Sequence, residues 1–204
     1  MHLARIWLLL GIEGLRTKLR GDARAVWILA PSIVNSEFKA LSTHLINYVR
    51  SGGTVVLGGL FSIGVSQSDF NRWMQEWGLS WTYGEYKKRN MAVFESASNG
   101  SSNFRGNGLA AAYPYEGVTL ENVPIRNSWY AVRGYTTTEA LLCGTVVQTS
   151  VALTKVGLGW LGWTGDFHNR DETTAVVRAM MGLNKKNQGD HVPSSKLLRR
   201  LFKA

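Results

Sequence analysis

Cysteine is almost missing from this sequence, with Cys143 standing alone. One thiol cannot close an internal disulfide, and it excludes any cysteine-based zinc cluster. Set in the apolar run Ala140-Leu141-Leu142-Cys143, it reads as a small buried hydrophobe rather than a reactive thiol. Such usage suits a reducing compartment, and the cytoplasm is the expected location. Long apolar runs are missing as well. None approaches the roughly 18 residues that a membrane-spanning helix needs, so no transmembrane segment is expected. The stretch Ile6 to Ile12 is short, meets Glu13 at once and has no small-x-small cleavage site, so it is not read as a signal peptide. Phosphate-binding glycine motifs are absent. The glycines of SGGTVVLGG (51–59) have the wrong spacing and lead into a strand, so no cofactor is expected. No internal repeat occurs.

What is present is a basic chain of 204 residues with a formal charge of +9. That length suits one domain with a true core, and 45% hydrophobic content excludes a wholly disordered chain. The charge is unevenly placed. Residues 1–24 carry a net +3 and residues 183–204 a net +5, while residues 25–182 are nearly balanced at +1. A basic groove in a folded body would show its excess in the middle. The expected organisation is therefore a basic segment at 1–24, a domain at 25–183 and a basic tail at 184–204. The tails predict weak, salt-sensitive attraction to polyanions. In the tail, Leu197, Leu198, Leu201 and Phe202 would share one side of a short helix after Ser194-Ser195. The pairs Lys185-Lys186 and Arg199-Arg200 leave nuclear import open as an alternative to the cytoplasm.

Ala25 to Ala30 is an unbroken apolar run ending at Pro31, the signature of a strand buried on both faces. Ser36 to Arg50 has apolar residues at helical spacing and ends at Gly52-Gly53. Thr54 to Leu60 is a second buried strand, so the three make a parallel βαβ unit. Asp69 to Trp77 is a helix with Phe70, Trp73, Met74 and Trp77 on one stripe. Residues 80–150 are less regular, with strands at 91–95, 118–120 and 128–133 and a polar loop at Asn99 to Gly108. Thr149 to Lys155 and Leu158 to Thr164 form a hairpin, and Thr173 to Leu183 is a helix. Elements in this order predict an α/β layer structure with a mainly parallel sheet. In such sheets ligands bind past the carboxyl ends of the strands, which selects the loops Gly58 to Ser68 and Gly165 to Glu172.

These loops hold the candidate chemistry. Ser62 follows the Gly58-Gly59 turn and is a candidate nucleophile with His168 as base; the alternative is a loop serine that caps the next segment. Asp166, Asp171 and Glu172 with His168 could hold a divalent cation. Capping of the following helix explains Asp171 and Glu172 better, so no metal is expected. Eight tryptophans are several times the ordinary share. Trp73 and Trp77 belong to the core stripe. Trp81, Tyr83 and Tyr86, beside Lys87, Lys88 and Arg89, would suit a sugar ring, a base or a protein partner, with core packing as the alternative.

The stretches YVRSGGTVVLGGLFS, FNRWMQEWGLSWTYGEYKKRN and GLGWLGWTGDFHNRDETTAVVRAM resemble a fungal branch of the class I glutamine amidotransferase-like superfamily, to which trehalose-utilisation-type and DJ-1-type proteins belong. The resemblance spans residues 25–182. It implies a flavodoxin-like three-layer sandwich, here with a shortened or altered first unit. That change would expose a sheet edge and favour a homodimer. The superfamily's enzymes carry a nucleophilic cysteine on a glycine-flanked strand-to-helix turn. Gly59 or Leu60 takes that place here. They also end a late strand in Phe-His-Pro-Glu; Phe167-His168 keeps the first half, while Asn169 and Arg170 replace the rest. Glutamine hydrolysis by that route is therefore not expected. The resulting expectation is a non-catalytic domain with a degenerate active site that binds a small molecule or a protein. The ligand residues expected are Gly58, Gly59, Phe61, Ser62, Asp166, His168, Asn169, Trp81, Tyr83 and Arg89. Two alternatives stand beside it: a hydrolase or isomerase using Ser62, His168 and Asp166, and a basic accessory protein acting through its tails on nucleic acid or membrane.

Overall fold

A computed structural model describes residues 5–9, 23–94, 109–132, 145–146, 148–168 and 170–183. Cys143, Asn169, the polar loop 99–108 and the tail 184–204 lie outside the described residues, as does most of segment 1–24. Strand β1 (Arg5–Leu9) pairs parallel with β2 (Ala23–Ile28). The chain then turns through Pro31–Val34 and Ser36–Phe38 into helix α1 (Lys39–Arg50) and returns as β3 (Thr54–Leu57), parallel to β2. A short helix α2 (Leu60–Gly64) and helix α3 (Gln67–Trp77) follow. The Ser66 hydroxyl caps α3 by accepting from the Asp69 amide at 3.1 Å, and Gly78 ends it in the left-handed conformation.

The middle of the chain departs from expectation. Strands β4 (Thr82–Val93) and β5 (Ala112–Glu121) form a long antiparallel ribbon. After a two-residue β6 (Val123–Pro124) come β7 (Ser128–Val132), β8 (Thr145–Val146), β9 (Thr149–Val156) and β10 (Gly159–Thr164). The main sheet runs β1-β2-β3-β10-β9-β5-β4-β7, and β7 also pairs with β9. That last pairing closes β9, β5, β4 and β7 into a four-strand antiparallel barrel. The mainly parallel flavodoxin-like sandwich is therefore corrected: in the main sheet five pairings are antiparallel and only three, β1–β2, β2–β3 and β3–β10, are parallel. The cause lies in the connections. Parallel neighbours need a crossover of a dozen or more residues, usually a helix. Among the described residues between β4 and β9 there is no α-helix, so successive strands fold back on each other.

Two cores flank the parallel strip. Leu41, Leu45 and Val49 of α1 and Phe70, Trp73 and Trp77 of α3 pack on Val26, Val55, Leu161 and Trp163. On the other face, helix α4 (Asp171–Met180) sets Val176, Val177 and Met180 against Trp27 and Val56, continuous with Tyr113, Tyr115 and Tyr130 of the barrel. Alternation along β5 buries Tyr113 and Tyr115 and leaves Glu116 half-buried on the opposite face. No described helix is long and apolar enough to cross a membrane.

Candidate functional site

The parallel register of β3 and β10 sets their carboxyl ends side by side, Leu57 opposite Trp163. Gly58-Gly59 leaves one end and Gly165-Asp166 the other. Gly59 adopts φ 58°, ψ −130° before α2, a conformation that a side chain adopts only under strain. A Cβ there would lie 2.7 Å from Leu29 Cδ2, and Leu29 is buried. The turn from β3 into α2 is thus sharp, with Gly59 at its apex and Leu29 packed over it.

Ribbon strand β5 crosses the end of β10 at very short range. The Val118 amide donates to the Gly165 carbonyl at 3.3 Å, and Gly117 bridges Asp166. Only glycine fits here: a Cβ on Gly165 would sit 1.8 Å from the Val118 carbonyl oxygen. Ser62 is buried beneath this crossing, and its one O–H is shared between the carbonyls of Gly59 (2.8 Å) and Gly165 (3.0 Å). Its hydroxyl pins turn to loop. No hydrogen bond joins it to His168, whose Nε2 lies 3.1 Å from Glu116 Oε2 instead.

Glu116 is the centre of a polar cluster. The Tyr86 hydroxyl donates to Oε1 at 2.9 Å; Lys88 Nζ approaches Oε2 to 3.3 Å and Arg170 Nη2 to 3.9 Å. The Tyr86 hydrogen bond foremost, with the bonds from Lys88 and His168, holds the Glu116 carboxyl below the usual range. It is therefore ionised at neutral pH. Asp166 behaves oppositely. Its carboxylate accepts from Thr173 Oγ1 (2.7 Å) and the His168 amide (3.0 Å), with Arg170 Nη1 at 3.8 Å. Burial nevertheless dominates and raises its pKa. Asp166 thus ties loop 165–170 to α4, while Arg170 links the two carboxylates and donates to the Pro114 carbonyl. The Phe167 ring stacks on His168 at 4.2 Å between centroids and approaches Tyr86 at 6.4 Å, with interplanar angles of 32° and 33°. Three rings, tilted from one to the next, thus border an ionised carboxylate and two cations.

Of the residues selected from sequence, Asp166 and His168 meet here. Phe61 is instead core, packed on Phe70, Trp73 and Trp163. Trp81 is buried as well. Tyr83 is half-buried and donates to the Ser62 carbonyl at 2.8 Å. Arg89 lies exposed on β4. Among the described residues no three metal-ligating side chains cluster. Tyr86 and Lys88 belong to the aromatic and basic segment that the sequence marks as suited to a ring or a partner, although they are not among the ligand residues expected; Glu116 and Arg170 carry no such expectation. The signal available for Glu116 was its alternation with Tyr113 and Tyr115, which places it on the outer face of the ribbon.

No protein-family model matches the chain, and no curated protein matches it in sequence. Among solved structures it is similar to a ThuA-like protein from Bacteroides uniformis, with TM-score 0.52 and 11% identity over 83% of this chain and 74% of that one. ThuA-like proteins belong to the glutamine amidotransferase-like superfamily. At 11% identity the likeness is one of fold alone. Weaker matches are β-galactosidases from Bacillus circulans sp. alkalophilus (TM-score 0.45, 12% identity, 81% of this chain) and Halorubrum lacusprofundi (0.48, 15%, 80%). The chain spans only 24% and 23% of those two enzymes. None of these matches bears on a fungal branch.

Proposed function

We propose that this chain acts by binding a small ligand at the carboxyl end of β10, on the face formed by Tyr86, Phe167 and His168 around Glu116. One observation carries the reading: three rings in succession, each tilted about a third of a right angle from the next, beside a carboxylate held in its ionised form. Aromatic faces take up flat or ring-shaped groups. An ionised carboxylate accepts hydrogen bonds strongly, so the ligand is a ring-bearing molecule with hydroxyl or amino donors. Lys88 and Arg170 set the charge of the rim. Binding rather than catalysis is favoured because glycine occupies the apex of the turn and the Ser62 hydroxyl is engaged by two carbonyls. On this reading the chain is an amidotransferase-like protein whose reactive corner has lost its nucleophile, and the ThuA-like likeness supports that placement at the level of fold.

A thermal-shift screen of the full chain against metabolites, nucleotides and metal ions tests it. A ligand at about 100 times its Kd should stabilise the domain by about 2.7 kcal/mol. Glu116→Gln and Phe167→Ala should each remove that shift. A ligand that protects both variants as well as the native chain binds elsewhere and refutes the site. Ammonia release from glutamine by the pure protein refutes the non-catalytic reading.

A further inference from the structure

The two ends of β10 differ in character. Its carboxyl end carries the ligand face. Its amino end, about 20 Å away at the rise of a strand, is the tip of the hairpin with β9. Leu158 stands in the two-residue turn and Trp160 follows on the strand. Leu158 is 74% exposed, the most of any large hydrophobic among the described residues, and Trp160 is 42% exposed. The turn does not call for leucine. Gly157 supplies the positive φ of 61°, and small polar residues are the usual company of such a glycine. The tip is also firmly held. The Leu158 amide donates to the Arg50 carbonyl and the Trp160 amide to the Gly53 carbonyl, both at 3.0 Å. A Cβ on Gly157 would lie 2.8 Å from Arg50 Cα. The hairpin is therefore clamped against the end of α1, with two large apolar side chains presented to solvent.

The charges around the tip are of one sign. Register sets Lys155 of β9 directly opposite Trp160, so the two share a face. Arg50 ends α1. Arg24 precedes Ala25, which is in register with Thr54 beside Trp160. All three cations are exposed. The ion pairs of the described residues use other cations, and none engages Arg24, Arg50 or Lys155. Arg50 touches Glu76 only through its backbone carbonyl, and the Glu76 carboxylate pairs with Lys39. The acids Glu37, Asp69, Asp171 and Glu172 lie near helix starts, past the carboxyl ends of the parallel strands. Helix α4 ends beside the tip, with Met180 against Gly162, and the chain continues from there into the basic segment 184–204. We propose that the β9–β10 tip docks on an anionic lipid bilayer, with Leu158 and Trp160 entering the headgroup layer and Lys155, Arg50 and Arg24 facing lipid phosphates. A leucine at the apex favours lipid over nucleic acid, whose bases stack on rings and whose backbone takes cations. Docked in this way, the ligand face at the other end of β10 points away from the bilayer.

The test is co-sedimentation of the full chain with vesicles of phosphatidylcholine alone, and with vesicles that contain about 30% phosphatidylserine. Binding is expected to the mixed vesicles only, and it should weaken as salt rises. Leu158→Ser combined with Trp160→Ser keeps every charge, those of the tail included. It should lower the partition constant about tenfold or more, about 1.4 kcal/mol. Lys155→Glu should lower it about fivefold; at an exposed strand position, it also tests the tip if the double variant fails to fold. The proposal is overturned if the mixed vesicles leave the native chain in solution. It is also overturned if either variant binds them as tightly as the native chain, which would assign binding to the tail. Binding of a single-stranded oligonucleotide where the vesicles fail would overturn it as well.

Discussion

Replacing Gly165 by alanine is the sharpest test of how the site is held together. The added Cβ would lie 1.8 Å from the Val118 carbonyl oxygen and 2.2 Å from the Tyr115 hydroxyl oxygen. The nearer atom is backbone in the middle of β5, so no rotamer change relieves the clash. The ribbon must instead lift from the end of β10. Three hydrogen bonds meet at Gly165: Val118 N–H to its carbonyl, Ser62 Oγ to the same carbonyl, and its own N–H to the Ser150 carbonyl at 3.1 Å. At about 1 kcal/mol each, with about 1–3 kcal/mol for overpacking, the loss comes to about 4–6 kcal/mol. That is a large share of the roughly 5–15 kcal/mol by which a domain is stable. Gly78→Ala is the control. Its φ of 76° strains alanine, but no atom lies within 4 Å of the new Cβ, so it should cost only about 1–2 kcal/mol. Urea unfolding of native and variant chains, read by tryptophan fluorescence, gives both values. If Gly165→Ala costs no more than Gly78→Ala, the close crossing is not what fixes Glu116 against loop 165–170.

Other consequences are smaller but as definite. Ser62→Ala should cost about 1 kcal/mol in the same unfolding assay, since each carbonyl it serves keeps a backbone donor; a neutral result would mean that Ser62 pins nothing. Ser42→Ala should cost about 1–3 kcal/mol by stranding the buried Trp73 indole N–H, and Ser42→Thr, which keeps a hydroxyl, should recover part of it if the bond is the cause. The two carboxylates should respond to pH in opposite directions. The Asp166 pKa is raised in the folded state, so the folded chain binds the extra proton, and stability falls as pH climbs from the unfolded value near 3.9 through the raised one. The Glu116 pKa is lowered, so its contribution is full above about pH 4.3 and fades as pH drops. Unfolding midpoints of Asp166→Asn and Glu116→Gln across pH 3–7 should therefore diverge from the native chain with opposite slopes, and parallel curves would refute the assignment of both shifts.

The ends of the domain were legible because their periodicity is strong and local. The run Ala25 to Ala30 and the stripe Phe70, Trp73, Met74, Trp77 each admit one periodicity, and β2 and α3 follow. The hairpin at 149–164 was equally plain. The middle was not. Strands β4 and β5 are twelve and ten residues long, yet only fragments of each were visible, since Lys87, Lys88 and Arg89 interrupt the apolar alternation on which strand reading depends. Lys88 and Arg89 are tolerated there because they are exposed, and Lys87, half-buried, because it pairs with Glu85. Missing the ribbon meant assuming crossovers, and crossovers imply parallel strands.

The same gap explains the site. Sequence reasoning looks along the chain from a motif, and at Phe167-His168 it finds Arg170 where the superfamily resemblance implies a glutamate. The carboxylate beside His168 comes instead from Glu116, fifty-two positions away on β5. No spacing rule joins them; only the antiparallel crossing at Gly117 and Gly165 does. Arg170 then takes the opposite role, bridging Glu116 to Asp166. Two chemistries share one edge of the sheet as a result. Toward β3 the turn keeps its strained backbone but is filled by Leu29 and locked by Ser62. Toward β5 the imidazole, the carboxylate and the rings remain partly open to solvent. The imidazole pairs with Glu116 and not with the Ser62 hydroxyl, which faces the carbonyls of Gly59 and Gly165; that separation is what weighs against a serine–histidine hydrolysis and for the ligand-binding reading proposed above.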